Sequence, residues 1–296
     1  MPAPRDAILL HRFLFRLRNR GWRLVHCSGA PAAPLSGRRR ANDIAVDVEE
    51  YVSALEHDGR LLIAAAKSAG LDAPVPTCPG WHIRELLAHM NYVHAWAYAY
   101  VAGALIDMVP EPDEVEILRN APPDDELLES VQGGHAALVG ALADAPFGLN
   151  CWTFLPSPSP LEMWARRQAH ETAIHRVDAE IAAGWAPRAF DSRFAMDGLD
   201  EIIFAFLART VPPADEEADL GRIGFEARGE AERLTVRLTA GGAVPERGEP
   251  LCDLVIRASA SDLYLVAWNR PSADELELIG ATHLLDVWRR LIQVTW

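Results

Sequence analysis

The sequence predicts an α+β fold in which a helical bundle precedes a small mixed unit. From residue 46 to about residue 210, apolar residues recur at three- and four-residue spacing over long segments, as they do on amphipathic helices. After about residue 220, the pattern changes to short alternating segments that are typical of strands. Half of the 296 residues are hydrophobic, which is enough for the chain to bury a core.

Five helices are predicted before the change of pattern. They are expected over residues 46–69, 81–104, 125–144, 161–183 and 192–210. Two stretches between them, 108–124 and 145–160, contain prolines and acidic or serine residues and are predicted to be loops.

The remaining elements are predicted to be short strands and helices. Strands are expected over 234–238, 251–256 and 275–279, and helices from Ser259 through Trp268 and over 282–294. An acidic linker over 212–219 separates this unit from the helices. We therefore predict a helical domain over 43–211 and a small α+β domain over 220–296.

Residues 1–42 have a different composition from the rest of the chain. Residues 1–40 carry nine arginines and one acid, so the remainder is strongly acidic within a net charge of −14. An export signal and a basic segment lying on an anionic membrane are two interpretations. A poorly ordered extension is the interpretation we favour, because chain termini commonly behave in this way.

The composition argues against several classes of protein. The acidic body disfavours nucleic acid as a partner, and no apolar run is long enough for stable membrane insertion. The four cysteines are far apart and form no CxxC pair, which argues against a zinc ribbon and a disulfide framework and favours a cytoplasmic protein. Phosphate loops, GxSxG elbows and haem-attachment motifs are absent from the sequence.

The helix over 161–183 carries a candidate site. Glu171 and His175 are four residues apart, about 40° around the helix, on the face that also carries Trp164. That face is expected to point inward, where a carboxylate and an imidazole are costly unless they pair with each other or bind a metal. His170 lies about 140° from His175, so the HETAIH segment is not a zinc-protease HExxH motif.

A third metal ligand would come from a facing helix. His89 lies beside the apolar stripe of the helix over 81–104 and is a better candidate than His82 or His94. Two histidines and one carboxylate would form an open, catalytic-type site facing a cavity. The simpler alternative is a His–Glu hydrogen bond in the core with His89 unrelated. Cys78 is interpreted as a small buried thiol in a turn rather than as a nucleophile.

Two segments carry a family resemblance. VPTCPGWHIRELLAHM (75–90) and WARRQAHETAIHRVDAE (164–180) together resemble the mycothiol-dependent maleylpyruvate isomerase family of actinobacteria. The resemblance extends over about residues 46–296. It implies a DinB-like, up-and-down four-helix bundle followed by a small C-terminal α+β domain, which is similar to sterol-carrier folds.

The resemblance also implies a chemistry. His89, Glu171 and His175 would be the ligands of one divalent metal, expected to be zinc, and mycothiol would bind the open position. The metal would lower the pKa of the thiol, and the thiolate would attack an electrophile. With a maleylpyruvate-like substrate, addition, bond rotation and elimination would give the trans isomer. Displacement of a leaving group would make the enzyme a thiol S-transferase.

Arg270 is the predicted catalytic residue outside the metal site. It lies in a loop after a short helix, where it could clamp a carboxylate of the electrophile, although a surface arginine is the alternative. The expected partners are a small-molecule electrophile and a low-molecular-weight thiol, and the expected state is a monomer or a homodimer. A binding module that holds an apolar ligand and a non-catalytic member of the same fold are the competing functions.

Overall fold

The computed structural model describes residues 46–109, 112–207, 218–230, 233–248, 250–272 and 276–292. It confirms the α+β class, because helices form the first part of the chain and a five-stranded sheet lies in the second. The predicted N-terminal extension over 1–42 lies outside the described residues, and the predicted division near 211–220 stays a prediction.

Four long helices form a bundle. They are α1 (Val48–Ala69), α2 (Ile83–Gly103), α4 (Asp124–Asp144) and α5 (Pro160–Ala182). α1 and α2 each pack against both α4 and α5. A short helix, α3 (Glu114–Asn120), lies in the stretch that was predicted to be a loop. That prediction was wrong because Asp113 caps the helix by accepting a hydrogen bond from the backbone of Glu116.

The segment after the bundle is divided into two kinds of helix. A single helix was predicted over 192–210, but α6 (Ser192–Asp200) is α-helical and Glu201–Phe206 is a π-helix. The side chain of Asp191 caps α6 by accepting from two backbone amides. π-Helices are rare and often occur at functional sites.

The sheet contains five strands in the order β3-β2-β1-β4-β5. They are β1 (Asp219–Ala227), β2 (Arg233–Thr239), β3 (Gly242–Glu246), β4 (Leu254–Ala258) and β5 (Glu277–Gly280). β1 and β4 are parallel, and the other pairs are antiparallel. β1 and β3 were missed because both contain glycine, and β3 also proline, which are depleted in strands.

Two further helices connect and cover the sheet. α7 (Ala260–Ala267) lies between β4 and β5 in the chain and packs against α6. α8 (His283–Leu291) packs on β1, where the rings of Trp288 and Phe225 lie 5.1 Å apart. The second part of the chain therefore contacts the bundle through α6 and α7.

α5 is buried on all sides. The sequence predicts one inward face, but residues on the other side of the helix are also buried, namely His170, Ala173, Val177 and Glu180. α1, α2 and α4 pack against the helix, and α6 and α7 reach it at His170, which lies between Asp197 and Tyr264. The single-face prediction was therefore wrong, because the packing of later elements cannot be read from the periodicity of one helix.

Two findings concern membranes and cysteines. No helix formed by the described residues has both the length and the apolar character needed to cross a bilayer. Cys78, Cys151 and Cys252 are free thiols.

The contact between α6 and α7 supplies a stability prediction. A Cβ atom added at Gly198 would lie 2.4 Å from Cε2 of Tyr264 and 2.8 Å from Cε1 of His170. We expect Gly198→Ala to lower the free energy of unfolding by about 1–3 kcal/mol, the usual effect of overpacking. The measurement is chemical denaturation of the two proteins.

Gly133→Ala is the matched control for this prediction. Gly133 lies on α4 with nothing within 4 Å of an added Cβ. There the change is expected to be neutral or to stabilise by up to about 1 kcal/mol, because alanine favours helix. Equal effects at the two glycines would contradict the packing described for α6 and α7.

Candidate metal centre

The loop before α2 places an aromatic ring over the junction of α2 and α5. The backbone amide of Val75 donates to the carbonyl of Trp81 at 2.9 Å, and within this loop the amide of Trp81 donates to the carbonyl of Cys78 at 3.0 Å, which closes a tight turn. Gly80 has φ +91° in this turn, a conformation that favours glycine. The Trp81 ring lies 5.3 Å from the ring of His89 and 6.3 Å from that of His175. The indole thus forms an apolar cover on both imidazoles.

His89, Glu171 and His175 converge beneath this cover. Oε1 of Glu171 lies 3.1 Å from Nε2 of His89 and 3.4 Å from Nε2 of His175. One ligand atom from each residue lies within 4.8 Å of the others. All three side chains are buried. The structure therefore brings together the three residues that were predicted as metal ligands.

The donor atoms of this group fit a divalent metal. Two imidazole nitrogens and one carboxylate oxygen are a common ligand set of zinc, in which tetrahedral ligand atoms about 2.0–2.2 Å from the ion lie about 3.3–3.6 Å from each other. The distances of 3.1 and 3.4 Å from Oε1 of Glu171 are compatible with that arrangement. Burial lowers the pKa of His89 and so favours the neutral imidazole that a metal requires, whereas the neighbours of His175 raise its pKa.

The second oxygen of Glu171 belongs to an ion pair. Oε2 accepts a hydrogen bond from Nη2 of Arg167 at 2.7 Å. Burial alone would raise the pKa of Glu171, but Arg167 and the two histidines outweigh it and hold the pKa well below its usual value. Glu171 is therefore a carboxylate with Oε1 facing the histidines and Oε2 facing Arg167.

Asp178 orients His175. Nδ1 of His175 lies 2.9 Å from Oδ2 of Asp178, so its Nε2 is the nitrogen that faces Glu171 and His89. Burial disfavours the protonated imidazole, but hydrogen bonds to Asp178, Cys78 and Glu171 raise the pKa of His175 well above its usual value. A carboxylate behind a histidine in this way is the usual outer partner of a metal-binding imidazole.

Arg270 holds Asp178 from the second part of the chain. Its Nε and Nη2 donate to the two carboxylate oxygens of Asp178 at 2.8 and 2.7 Å, and Nη1 donates to the carbonyl of Trp268. Arg270 is 7% exposed, so it is not a surface arginine. The fork that was predicted to clamp a substrate carboxylate is thus bound to a carboxylate of this chain.

Cys78 belongs to the same outer group. Its Sγ donates to Oδ2 of Asp178 at 3.4 Å and lies 3.6 Å from Nη2 of Arg270. Cys78, His175 and Asp178 form a second set of ligand atoms that lie within 4.8 Å of one another. Burial raises the pKa of the Cys78 thiol. Because Arg270 already binds both oxygens of Asp178, this set is less suited to a cation than the first.

The other histidines considered from the sequence lie outside the cluster. His82 is half-exposed at the start of α2, where it precedes Ile83. Nε2 of His94 lies 2.9 Å from Oγ1 of Thr172, on the flank of α2 away from the cluster. His170 lies on the opposite side of α5, between Asp197 of α6 and Tyr264 of α7.

His89, Glu171 and His175 do not line the cavity beside α1. The sequence predicts a site that faces an open cavity. A cavity of about 720 Å³ lies elsewhere, between α1 and residues 188–194. Arg176 reaches this cavity from α5, but its neighbour His175 points to the cluster. Trp81 and the outer residues cover the three ligand side chains, which are buried, and the open cavity expected beside them stays a prediction.

Sequence reasoning missed the residues around the cluster. Asp178 follows His175 by three positions, a spacing at which helical side chains are neighbours, and this signal could have identified it. Arg167 precedes Glu171 by four positions and could have been found in the same way. The role of Trp81 had no local signal, since it depends on how the loop folds over α2.

Two family models match the chain. Residues 52–180 match the family model described as the mycothiol maleylpyruvate isomerase N-terminal domain, and residues 193–286 match the C-terminal domain of the same family. A search of curated proteins finds no match.

Solved structures share the fold. A crystal structure of the mycothiol-dependent maleylpyruvate isomerase superposes with a TM-score of 0.55 at 14% identity, covering 79% of this chain and 93% of that one. A crystal structure of a histidine-to-alanine mutant of that enzyme superposes with the same TM-score and coverage at 13% identity.

Proposed function

Because this chain belongs to the mycothiol-dependent maleylpyruvate isomerase family, we propose that it is a metal-dependent thiol enzyme that uses mycothiol. Its reaction would be either an isomerisation of the maleylpyruvate type or a thiol S-transfer. The observation that carries the proposal is the convergence of His89, Glu171 and His175 on one buried point.

These three residues would hold the metal. His89 and His175 would each bind through Nε2, and Glu171 through Oε1, because these are the atoms that face one another. A divalent metal held there, for which zinc is the best match to the donor set, would acidify a thiol and supply a thiolate near neutral pH for attack on an electrophile. The buried position excludes water from the ligands and strengthens each electrostatic interaction among them.

The surrounding residues would keep the ligands in place. Asp178 fixes the ring of His175 through Nδ1, and Arg270 fixes Asp178 through both carboxylate oxygens. Arg270 would therefore act as a positioning residue rather than as a substrate clamp. Trp81 would limit the motion of both imidazoles by packing against them.

The proposed partners follow from this chemistry. They are a small-molecule electrophile and a low-molecular-weight thiol, with mycothiol as the first choice because the family is named for it. We propose a cytoplasmic protein that is a monomer or a homodimer. A non-catalytic member of the fold that binds a small molecule is the competing function, and the following experiment distinguishes the two.

We expect the zinc-loaded protein to convert electrophiles only when a thiol is present. Purified protein would be incubated with mycothiol and other low-molecular-weight thiols and a panel of electrophiles that includes cis-alkene dicarboxylates, with products followed by mass spectrometry. Glu171→Gln is the matched control, since it keeps the shape of the side chain and removes the ligand charge. Zinc-loaded protein that converts no member of the panel would favour the non-catalytic function.

A further inference from the structure

A buried ion-pair chain joins the proposed ligand Glu171 to the π-helix. The guanidinium of Arg167 donates to Oε2 of Glu171 at 2.7 Å and also donates to Oε2 of Glu201. Arg167, Glu171 and Glu201 are each no more than 4% exposed. Arginine suits this position because its planar fork can bind two carboxylates at once, whereas the ammonium of lysine is a point charge.

The π-helix explains how Arg167 is held. Glu201 and Phe206 are five residues apart, and in an α-helix they would be about 140° apart. The i→i+5 winding of a π-helix brings such residues back to one side. Both contact the guanidinium, whose Cζ lies 4.8 Å from the centre of the Phe206 ring.

The end of α7 supplies a second aromatic ring beside the guanidinium of Arg167. Cζ of Arg167 lies 5.5 Å from the centre of the Trp268 ring. Cation–π contacts on two rings, together with two carboxylates, leave the guanidinium little freedom to rotate. Arg167 is therefore fixed from α5, from the π-helix and from the loop after α7.

We infer that Arg167 restricts Glu171 to a single ligand oxygen. Its hydrogen bond occupies Oε2, so that Oε1 alone is directed at Nε2 of His89 and Nε2 of His175. A carboxylate that binds the metal through one oxygen leaves one coordination position open for the thiol. A carboxylate that binds through both oxygens would occupy that position. The inference rests on the proposed metal site, and it makes Arg167 a positioning residue for the open position.

Arg167→Lys tests the inference without changing the charge of the core. We expect this variant to release Oε2 of Glu171, because the lysine ammonium lacks the planar fork through which Arg167 binds Glu171 and Glu201 together. In the protein loaded with Co²⁺ in place of zinc, the d–d absorption is expected to weaken as the carboxylate binds through two oxygens and the coordination number rises. Zinc affinity is expected to fall about 10- to 100-fold, the usual effect of losing an outer partner.

Arg166→Lys is the matched control on the same helix. Arg166 is also a largely buried arginine with two acidic partners, Asp197 and Asp200, but it does not contact Glu171. Its Co²⁺ spectrum is expected to match that of the wild type. If Arg167→Lys does not fold, X-ray absorption of the Co²⁺-loaded wild type is used instead; one carboxylate oxygen in the coordination shell is expected, and two would overturn the inference.

The outcomes separate this inference from the proposed function. Wild-type protein that binds Co²⁺ while Arg167→Lys has an unchanged Co²⁺ spectrum would overturn the inference and leave the metal site standing. Wild-type protein that binds neither Co²⁺ nor zinc would overturn both. A weakened spectrum in Arg167→Lys, with an unchanged spectrum in Arg166→Lys, is the result that we predict.

Discussion

His89→Ala is expected to abolish zinc binding and thiol-dependent turnover while the fold survives. His89 supplies one of three converging ligand atoms, and it comes from α2, whereas the other two come from α5. Loss of an outer partner alone lowers metal affinity about 10- to 100-fold, so loss of a ligand is expected to exceed that. The measurements are zinc content after reconstitution, turnover with mycothiol and far-ultraviolet circular dichroism.

His94→Ala controls for the loss of a buried histidine. His94 lies on the same helix, is also buried, and contacts Thr172 of α5 instead of the cluster. We expect His94→Ala to keep its zinc. If both variants kept zinc to the same extent, His89 would not be a ligand, and the alternative of a core hydrogen bond between His175 and Glu171 would be supported.

Arg270→Ala is expected to lower the free energy of unfolding by about 3–5 kcal/mol, the effect of breaking a buried ion pair by removing one partner. The change leaves the carboxylate of Asp178 buried without the guanidinium that binds both of its oxygens. The role first predicted for Arg270, a clamp held ready for a substrate, would give little loss of stability. Chemical denaturation of the metal-free protein measures the difference.

Two further variants complete this test. Arg257 forms a surface ion pair with Glu226, and Arg257→Ala is expected to cost less than about 1 kcal/mol. Adding Asp178→Asn to Arg270→Ala is expected to recover part of the loss, since the buried carboxylate that has lost its guanidinium is then absent. An effect of Arg270→Ala as small as that of Arg257→Ala would contradict the positioning role.

The pairing of Glu171 with His175 could be predicted because it is local. Both lie on one helix, and the periodicity of 3.6 residues places side chains four positions apart on the same face. The α+β class was predictable for a similar reason, since apolar residues repeat every three to four positions in a helix and every second position in a strand. Predicting that His89 lies beside Glu171 and His175 needed the family resemblance as well as the helix face, because α2 and α5 are far apart in the sequence.

The outer residues could not be predicted because they depend on distant contacts. Arg270 meets Asp178 across 92 positions of the chain. The sequence indicates that Arg270 is a cation in a loop, but not that the loop lies against α5. The full burial of α5 is a similar case, since α1, α6 and α7 all contact His170, which was expected to point outward.

The π-helix had no signal in the sequence. Residues 192–210 have the spacing of one amphipathic helix, and the change of winding at Glu201 does not alter that spacing enough to be seen. The π-helix affects the tertiary packing, because it places Glu201 and Phe206 side by side against Arg167.

X-ray absorption at the zinc edge of the reconstituted wild-type protein tests the metal centre most directly. We predict one zinc per chain, with two imidazole nitrogens and one carboxylate oxygen about 2.0–2.2 Å from the ion. The same measurement on His89→Ala is expected to show the loss of one imidazole or of the zinc itself. Protein that takes up no zinc on reconstitution, or zinc with no imidazole ligand, would contradict the assignment of His89, Glu171 and His175.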